Sequence, residues 1–263
     1  MIYDKLPVVL LSTMASEKSS STNHTIAAFI LSHAEDIPKM SITDLAQACY
    51  VGTGSVSRFV RDIGLTDFAQ LKQLCAEFAM RSFENKEETD PIVRQSHITE
   101  YIVSAMRTAA SSVDPEQLEK ICRDIQSYEN IYAFGLLKAQ SAAVSLQTDL
   151  LMAGKTIHTS TAFAEQMDTI INAGKEDLIL IFSYTGTYFS SHAFRAKEKH
   201  LILPKIWMIC GNNSGLPSFV DEVLLFESQG KKESHPFTLE LMASLIAEEY
   251  SYMINHDRSG NTQ

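Results

Sequence analysis

At 263 residues, 45% hydrophobic and 21% charged, the chain carries enough apolar material for a packed core, which excludes general disorder. Its formal net charge is -10, but residues 1–82 hold seven Lys/Arg and eight Asp/Glu against fifteen and twenty-four in the remainder, net -1 and -9. The acidity belongs mainly to the second part, so the total does not exclude an N-terminal nucleic-acid module, for which the local placement of basic groups decides.

The first element, LPVVLLSTMA, reads as an amphipathic helix; Asp4 and Pro7 interrupt it as a signal-peptide core. From Asn23 to Phe83 apolar residues recur at helical spacing: Ile26, Phe29 and Ile30; Ile42, Leu45 and Ala46; Val56, Phe59 and Val60; Phe68, Leu71, Leu74 and Phe78. Ser41 with Asp44 three residues on predicts a helix start closed by a capping box. The charged, proline-ended SFENKEETDP, Ser82–Pro91, reads as a linker. These features divide the chain into a helical domain over 1–82, a linker over 83–94 and a second domain over 95–263. In that domain helices are expected at Gln95–Ser111, Pro115–Tyr128, Leu136–Ala153, Phe163–Ala173, Thr187–Lys199 and His235–His256. Five strands are expected at Asn130–Gly135, Lys155–Ser160, Asp177–Tyr184, Lys205–Gly211 and Asp221–Ser228. Nearly continuous apolar strands alternating with helices predict a parallel sheet covered on both faces.

Four well-separated cysteines, Cys49, Cys75, Cys122 and Cys210, fit buried thiols and no disulfide framework or zinc site. No apolar run approaches the roughly 20 residues that span a bilayer, so a soluble, cytoplasmic protein is expected.

Two short motifs carry chemistry. VGTGSVSRFVRDIG, Val51–Gly64, offers glycines and serines ahead of two arginines, but a helix precedes it and Ser57 stands where G-x-G-x-x-G needs its third glycine. Met40–Gln73 instead contains two helical patterns separated by a turn at Cys49–Gly52, which fits a helix-turn-helix and equally an ordinary helical hairpin. In the first reading Val51 and Val56 fill the joint, and Thr53, Ser55, Ser57 and Arg61 face outward. SYTGTYFSS, Ser183–Ser191, follows the strongest strand, where open parallel sheets bind ligands, and its hydroxyls and glycine suit a phosphate.

The N-terminal segment, with Leu45, Ala46, Val51, Val56, Arg58, Phe59, Gly64 and Phe68 in place, resembles the helix-turn-helix domain of the RpiR family of transcriptional regulators. Residues 115–255, with Gly135, Gly154, Asp177, Ser183 and Gly186 as guideposts, resemble the SIS, or sugar isomerase, domain that follows it in that family. The resemblance implies a helical domain followed by a flavodoxin-like α/β/α domain with a five-stranded parallel sheet. It implies DNA contacts from Thr53, Ser55, Ser57, Arg58 and Arg61. It implies a phosphosugar effector held by Ser183, Tyr184, Thr185, Gly186, Thr187, Gly135 and Gln140. It further implies a double-stranded DNA operator and a homodimer or homotetramer, with no cofactor, metal or membrane.

The chain departs from the family in both segments. Gly52 and Gly54 replace serine and a better helix former, and a glycine within the first turn costs about 1 kcal/mol relative to alanine. Leu137 and Ala139 stand where the family's G-x-G-x-S loop has its second glycine and its hydroxyl, with Gln140 or Ser141 as compensation. The S-x-S-G-x-T loop appears as Ser183, Thr185, Gly186 and Tyr188.

The chain has no G-x-S-x-G elbow and no H-E-x-x-H, and GKT at Gly154–Thr156 lacks the first glycine of a phosphate loop. His158, Glu165, His192, His235 and Glu240 carry no acid–base signature. A regulator, not an enzyme, is expected; a SIS-domain sugar-phosphate isomerase and a regulator with a ligand-independent dimerisation scaffold are the alternatives.

Overall fold

A computed structural model describes residues 6–79, 90–189, 204–228 and 235–260. They form two compact units. One comprises the region through residue 79 with residues 160–171 and Phe189; the other comprises the remaining described residues from Asp90 onward.

The first unit is helical: α1 (Leu6–Ser16), α2 (Thr22–Ser32), a 3-10 turn at Ile37–Lys39, α3 (Ile42–Ala48), α4 (Thr53–Asp62) and α5 (Phe68–Ala79). The apolar residues at helical spacing converge on one core, with Ile26, Ile30, Leu45, Val56, Phe59 and Leu71 all buried. Cap residues fix where the helices begin. Ser21 Oγ accepts the His24 N–H at the start of α2. At α3 the predicted capping box is complete: Asp44 N–H donates to Ser41 Oγ at 3.1 Å and Ser41 N–H donates to Asp44 Oδ2 at 2.8 Å. The Ser41 N–H and the Ser41 hydroxyl, which donates to the same carboxylate oxygen at 2.7 Å, hold the Asp44 carboxyl below its ordinary value.

The second unit is α/β. Its elements are α6 (Pro91–Ser112), α7 (Pro115–Ser127), β1 (Asn130–Phe134), α8 (Lys138–Met152), β2 (Asp177–Phe182), β3 (Lys205–Cys210), β4 (Glu222–Leu225) and α10 (His235–Gly260), while α9 (Phe163–Asn172), between α8 and β2 in the chain, belongs up to Ile171 to the helical unit. Ser82–Thr89 of the linker segment lie outside the described residues, as do residues 190–199 of the helix expected at Thr187–Lys199. Helix α6 starts four residues earlier than expected because Asp90 caps it, accepting the Ile92 N–H at 2.8 Å, and Pro91 takes the first helical position.

The sheet is parallel, in the order β1-β2-β3-β4. On one face Ile131, Leu180, Trp207 and Leu224 join a core with α7, α8 and α10; on the other Ile179, Ile181, Ile206 and Met208 are also buried. Two polar ties cross that core's edge. Asp124 on α7 accepts from Trp207 Nε1 and from Lys205 Nζ, both at 2.7 Å, and Lys120 pairs with Glu222.

The expected fifth strand is not formed. Lys155–Ser160 contributes a single parallel bridge, Tyr132↔His158, with the His158 N–H donating to Ile131 O and the Ala133 N–H to His158 O, both at 2.8 Å. Side chains occupy the next rungs. Ala133 O accepts the Thr159 hydroxyl at 2.7 Å, and the Gly135 N–H donates to Gln140 Oε1 at 3.1 Å. With the Ala133 carbonyl and the Gly135 N–H engaged, the ladder stops after one rung.

Candidate nucleic-acid interface and effector pocket

The turn between α3 and α4 is a Schellman closure. The Val51 N–H donates to Ala46 O at 2.9 Å and the Tyr50 N–H to Gln47 O at 3.1 Å, which requires Tyr50 in the left-handed region, φ 56. A non-glycine residue there costs about 1 kcal/mol. Gly52 caps α4 through extended backbone without a side-chain bond, and at both Gly52 and Gly54 an added Cβ would meet open space.

On α4, Val56, Phe59 and Val60 are buried. At about 100° per residue, Gly54, Arg58 and Arg61 fall at the centre of the opposite face, with Ser57 and Thr53 on one flank and Ser55 on the other. Thr53, Arg58 and Arg61 are exposed; Ser55 and Ser57 are half-buried. Arg61 Nε donates to Ser57 O at 3.2 Å, which lays its guanidinium along the helix. Burial raises the Asp62 carboxyl, the charges of Arg58 and Arg61 opposing the shift. The five DNA-contact residues expected from sequence therefore share the solvent side of one helix. Sequence reasoning gave Tyr50 no role; an aromatic where a helix-ending turn favours glycine was the available signal.

In the α/β unit, Phe134 is paired with Ile181, so the loops after β1 and β2 leave the sheet side by side. Gly135 is required by close approach, since a Cβ would come within 2.6 Å of the Ala139 carbonyl. Leu137 adopts a glycine-like conformation, φ 48 and ψ -107, at the cap of α8. Gln140 is buried, and its amide donates to Thr159 Oγ1 at 2.5 Å while its carbonyl accepts from Gly135. It shapes the loop.

After β2, the Ser183 N–H donates to Ile209 O at 3.0 Å and the Gly186 N–H returns to Ser183 O at 2.8 Å, closing a turn with Gly186 at φ 69. A side chain at Gly186 would lie 2.1 Å from Asn212 O. The Thr185 and Thr187 hydroxyls meet at 2.7 Å; Thr185 is exposed and Thr187 half-buried. Ser183 is buried at the loop's base. Tyr184 points into the core, against Phe226 and, edge-on, His235. Burial, with Lys138 nearby, depresses His235 to about 4.

His158 sits at the sheet edge, Glu165 accepts the Ser160 hydroxyl at 2.5 Å, and His192 lies outside the described residues. Among the described residues no group of three or more His, Cys, Asp or Glu stands together as a metal site, and no helix is long and apolar enough to cross a membrane. All four cysteines are free and buried.

Residues 10–80, which span this turn and α4, match the model of the helix-turn-helix domain of the rpiR family. The chain carries an RpiR-family helix-turn-helix. Likeness continues beyond it: an HTH-type transcriptional regulator of Thermotoga maritima is 24% identical over 223 residues, 82% of this chain and 80% of the relative. The HTH-type transcriptional regulator HexR of Pseudomonas aeruginosa is 24% identical over 181 residues, 65% of this chain and 61% of HexR. Among solved structures, the Vibrio vulnificus NanR protein complexed with ManNAc-6P superposes with a TM-score of 0.53 at 18% identity, covering 97% of this chain and 94% of NanR. The helical region is thus followed along the chain by an α/β domain with a parallel sheet, and the fold is similar to that of NanR.

Proposed function

We propose that this protein is a DNA-binding transcriptional regulator of sugar or amino-sugar metabolism whose α/β domain is a flavodoxin-like SIS domain sensing a phosphosugar. The observation that carries the reading is the α3–α4 helix-turn-helix, matched by the rpiR model, in the same chain as the paired loops after β1 and β2. The helical region within residues 1–82 is the DNA-binding domain, and the α/β region that α6 opens at Pro91 is the effector domain. Arg58 and Arg61 contact phosphates or bases of a double-stranded operator, with Thr53, Ser55 and Ser57 near base edges.

The phosphosugar lies at the carboxyl end of the sheet. The Thr185 and Thr187 hydroxyls take its phosphate over the turn that Ser183, Tyr184 and Gly186 build, and Gly135 and Gln140 form the opposite wall. NanR, the structural neighbour of similar length, was solved with an N-acetylamino-sugar phosphate, which supports this ligand class. The assembly is a cytoplasmic homodimer or homotetramer. The effector shifts operator affinity by binding one arrangement of the assembly more tightly than the other.

The test is a panel of aldose, ketose and amino-sugar phosphates in a thermal-shift assay, followed by operator binding with and without any stabilising ligand. One phosphosugar should raise the melting temperature and change operator affinity, and Thr185→Val should abolish both effects. A panel that shifts neither quantity, with operator binding intact, would leave the α/β domain as an assembly scaffold and overturn the effector assignment.

A further inference from the structure

The turn before α4 holds a residue whose side chain folding does not use. Tyr50 is 95% exposed, so its ring gains almost nothing from packing, and its φ of 56 places it in the region that glycine occupies without conflict. The Schellman bonds it completes are backbone bonds that glycine would make equally well. A strained conformation with no packing return points to a contact made outside the folded chain. The residue stands two positions before Gly52, the cap of α4, at the same end of the helix as Thr53 and Ser55. A phenol there has one polar atom on a rigid ring, a form in which proteins recurrently meet the DNA backbone irrespective of sequence.

We propose that Tyr50 is a DNA-contacting residue whose hydroxyl donates to a backbone phosphate oxygen beside the groove that α4 enters. The proposal rests on the reading of α3–α4 as the DNA-recognition unit. Because the phenol is uncharged, the contact adds affinity without releasing a counterion and leaves the salt dependence of binding unchanged.

The probe is a duplex selected by the full-length parent protein from a randomised pool. Tyr50→Phe keeps the ring and the backbone strain and removes only the hydroxyl; it should weaken binding about five- to tenfold at an unchanged melting temperature. Tyr50→Gly should weaken binding at least as much while raising the melting temperature by about 2–4 °C, because the strain is relieved. Both variants should keep the parent's slope of log affinity against log salt, whereas Arg61→Ala should lower it. Affinity lost together with stability lost would mark a structural role and overturn the contact. Variants that bind as the parent does would overturn it alone, and a parent that selects no duplex would overturn the DNA reading and this contact with it.

Discussion

The Gln140 side-chain carbonyl accepts the buried Gly135 N–H at 3.1 Å while the same side chain's amide donates to Thr159, so one residue closes the carboxyl end of β1 against the sheet edge. Gln140→Leu keeps the volume and removes both bonds. The expected loss is about 2 kcal/mol, read as a lower urea midpoint for the α/β unit. An unchanged midpoint would mean that these bonds add nothing beyond what water supplies.

Leu137 offers a test of backbone strain at the effector loop. Leu137→Gly and Leu137→Ala lose the same half-buried side chain, but only glycine accepts φ 48 without conflict. The glycine variant should be the more stable of the two by about 1 kcal/mol, the reverse of their usual order. Chemical denaturation of the two variants side by side decides it.

Arg58 and Arg61 project from the exposed side of α4. If each neutralises one phosphate, replacing either with alanine reduces the slope of log affinity against log salt by about one. Electrophoretic mobility or fluorescence anisotropy at four salt concentrations measures the slope. A variant that lost affinity equally at every salt concentration would place that arginine on a base edge or in a structural role.

His235 is held neutral by burial, with the Lys138 charge adding to the effect, and its folded value is about 4 against an ordinary 6.5. The unfolded chain therefore binds the proton more readily. The stability that this histidine contributes is present above pH 6.5 and is lost as pH falls through 6.5 towards 4. Melting temperatures over that window should fall less steeply for His235→Gln than for the parent, and parallel curves would contradict the assignment.

Much of this architecture is legible in the sequence because it rests on local rules. The capping box at Ser41 and Asp44 is a three-residue relationship, and the apolar spacing of α4 already separates Val56, Phe59 and Val60 from the arginines. The fifth strand shows the limit. KTIHTS has the composition of a strand, but its pairing ends because Gln140 on α8 takes the Gly135 N–H and the segment's own Thr159 hydroxyl takes the Ala133 carbonyl, bonds that the apolar pattern of the segment does not encode. In the loops, sequence order places Ser183, Thr185, Gly186 and Thr187 together correctly. It does not reveal that the Tyr184 ring turns inward or that the Gln140 amide is engaged at both ends. Leu137 is the converse case: nothing in a leucine's propensities announces the glycine-like backbone that it adopts.

The chain's single tryptophan, Trp207, is fully buried in β3, and its indole N–H donates to the Asp124 carboxylate. Its emission is an optical reporter for the α/β unit alone, blind to the helical unit, which has no tryptophan of its own. Fluorescence and far-ultraviolet dichroism, recorded on one denaturation series, would trace separate curves if the two units melt independently and a single curve if they melt together.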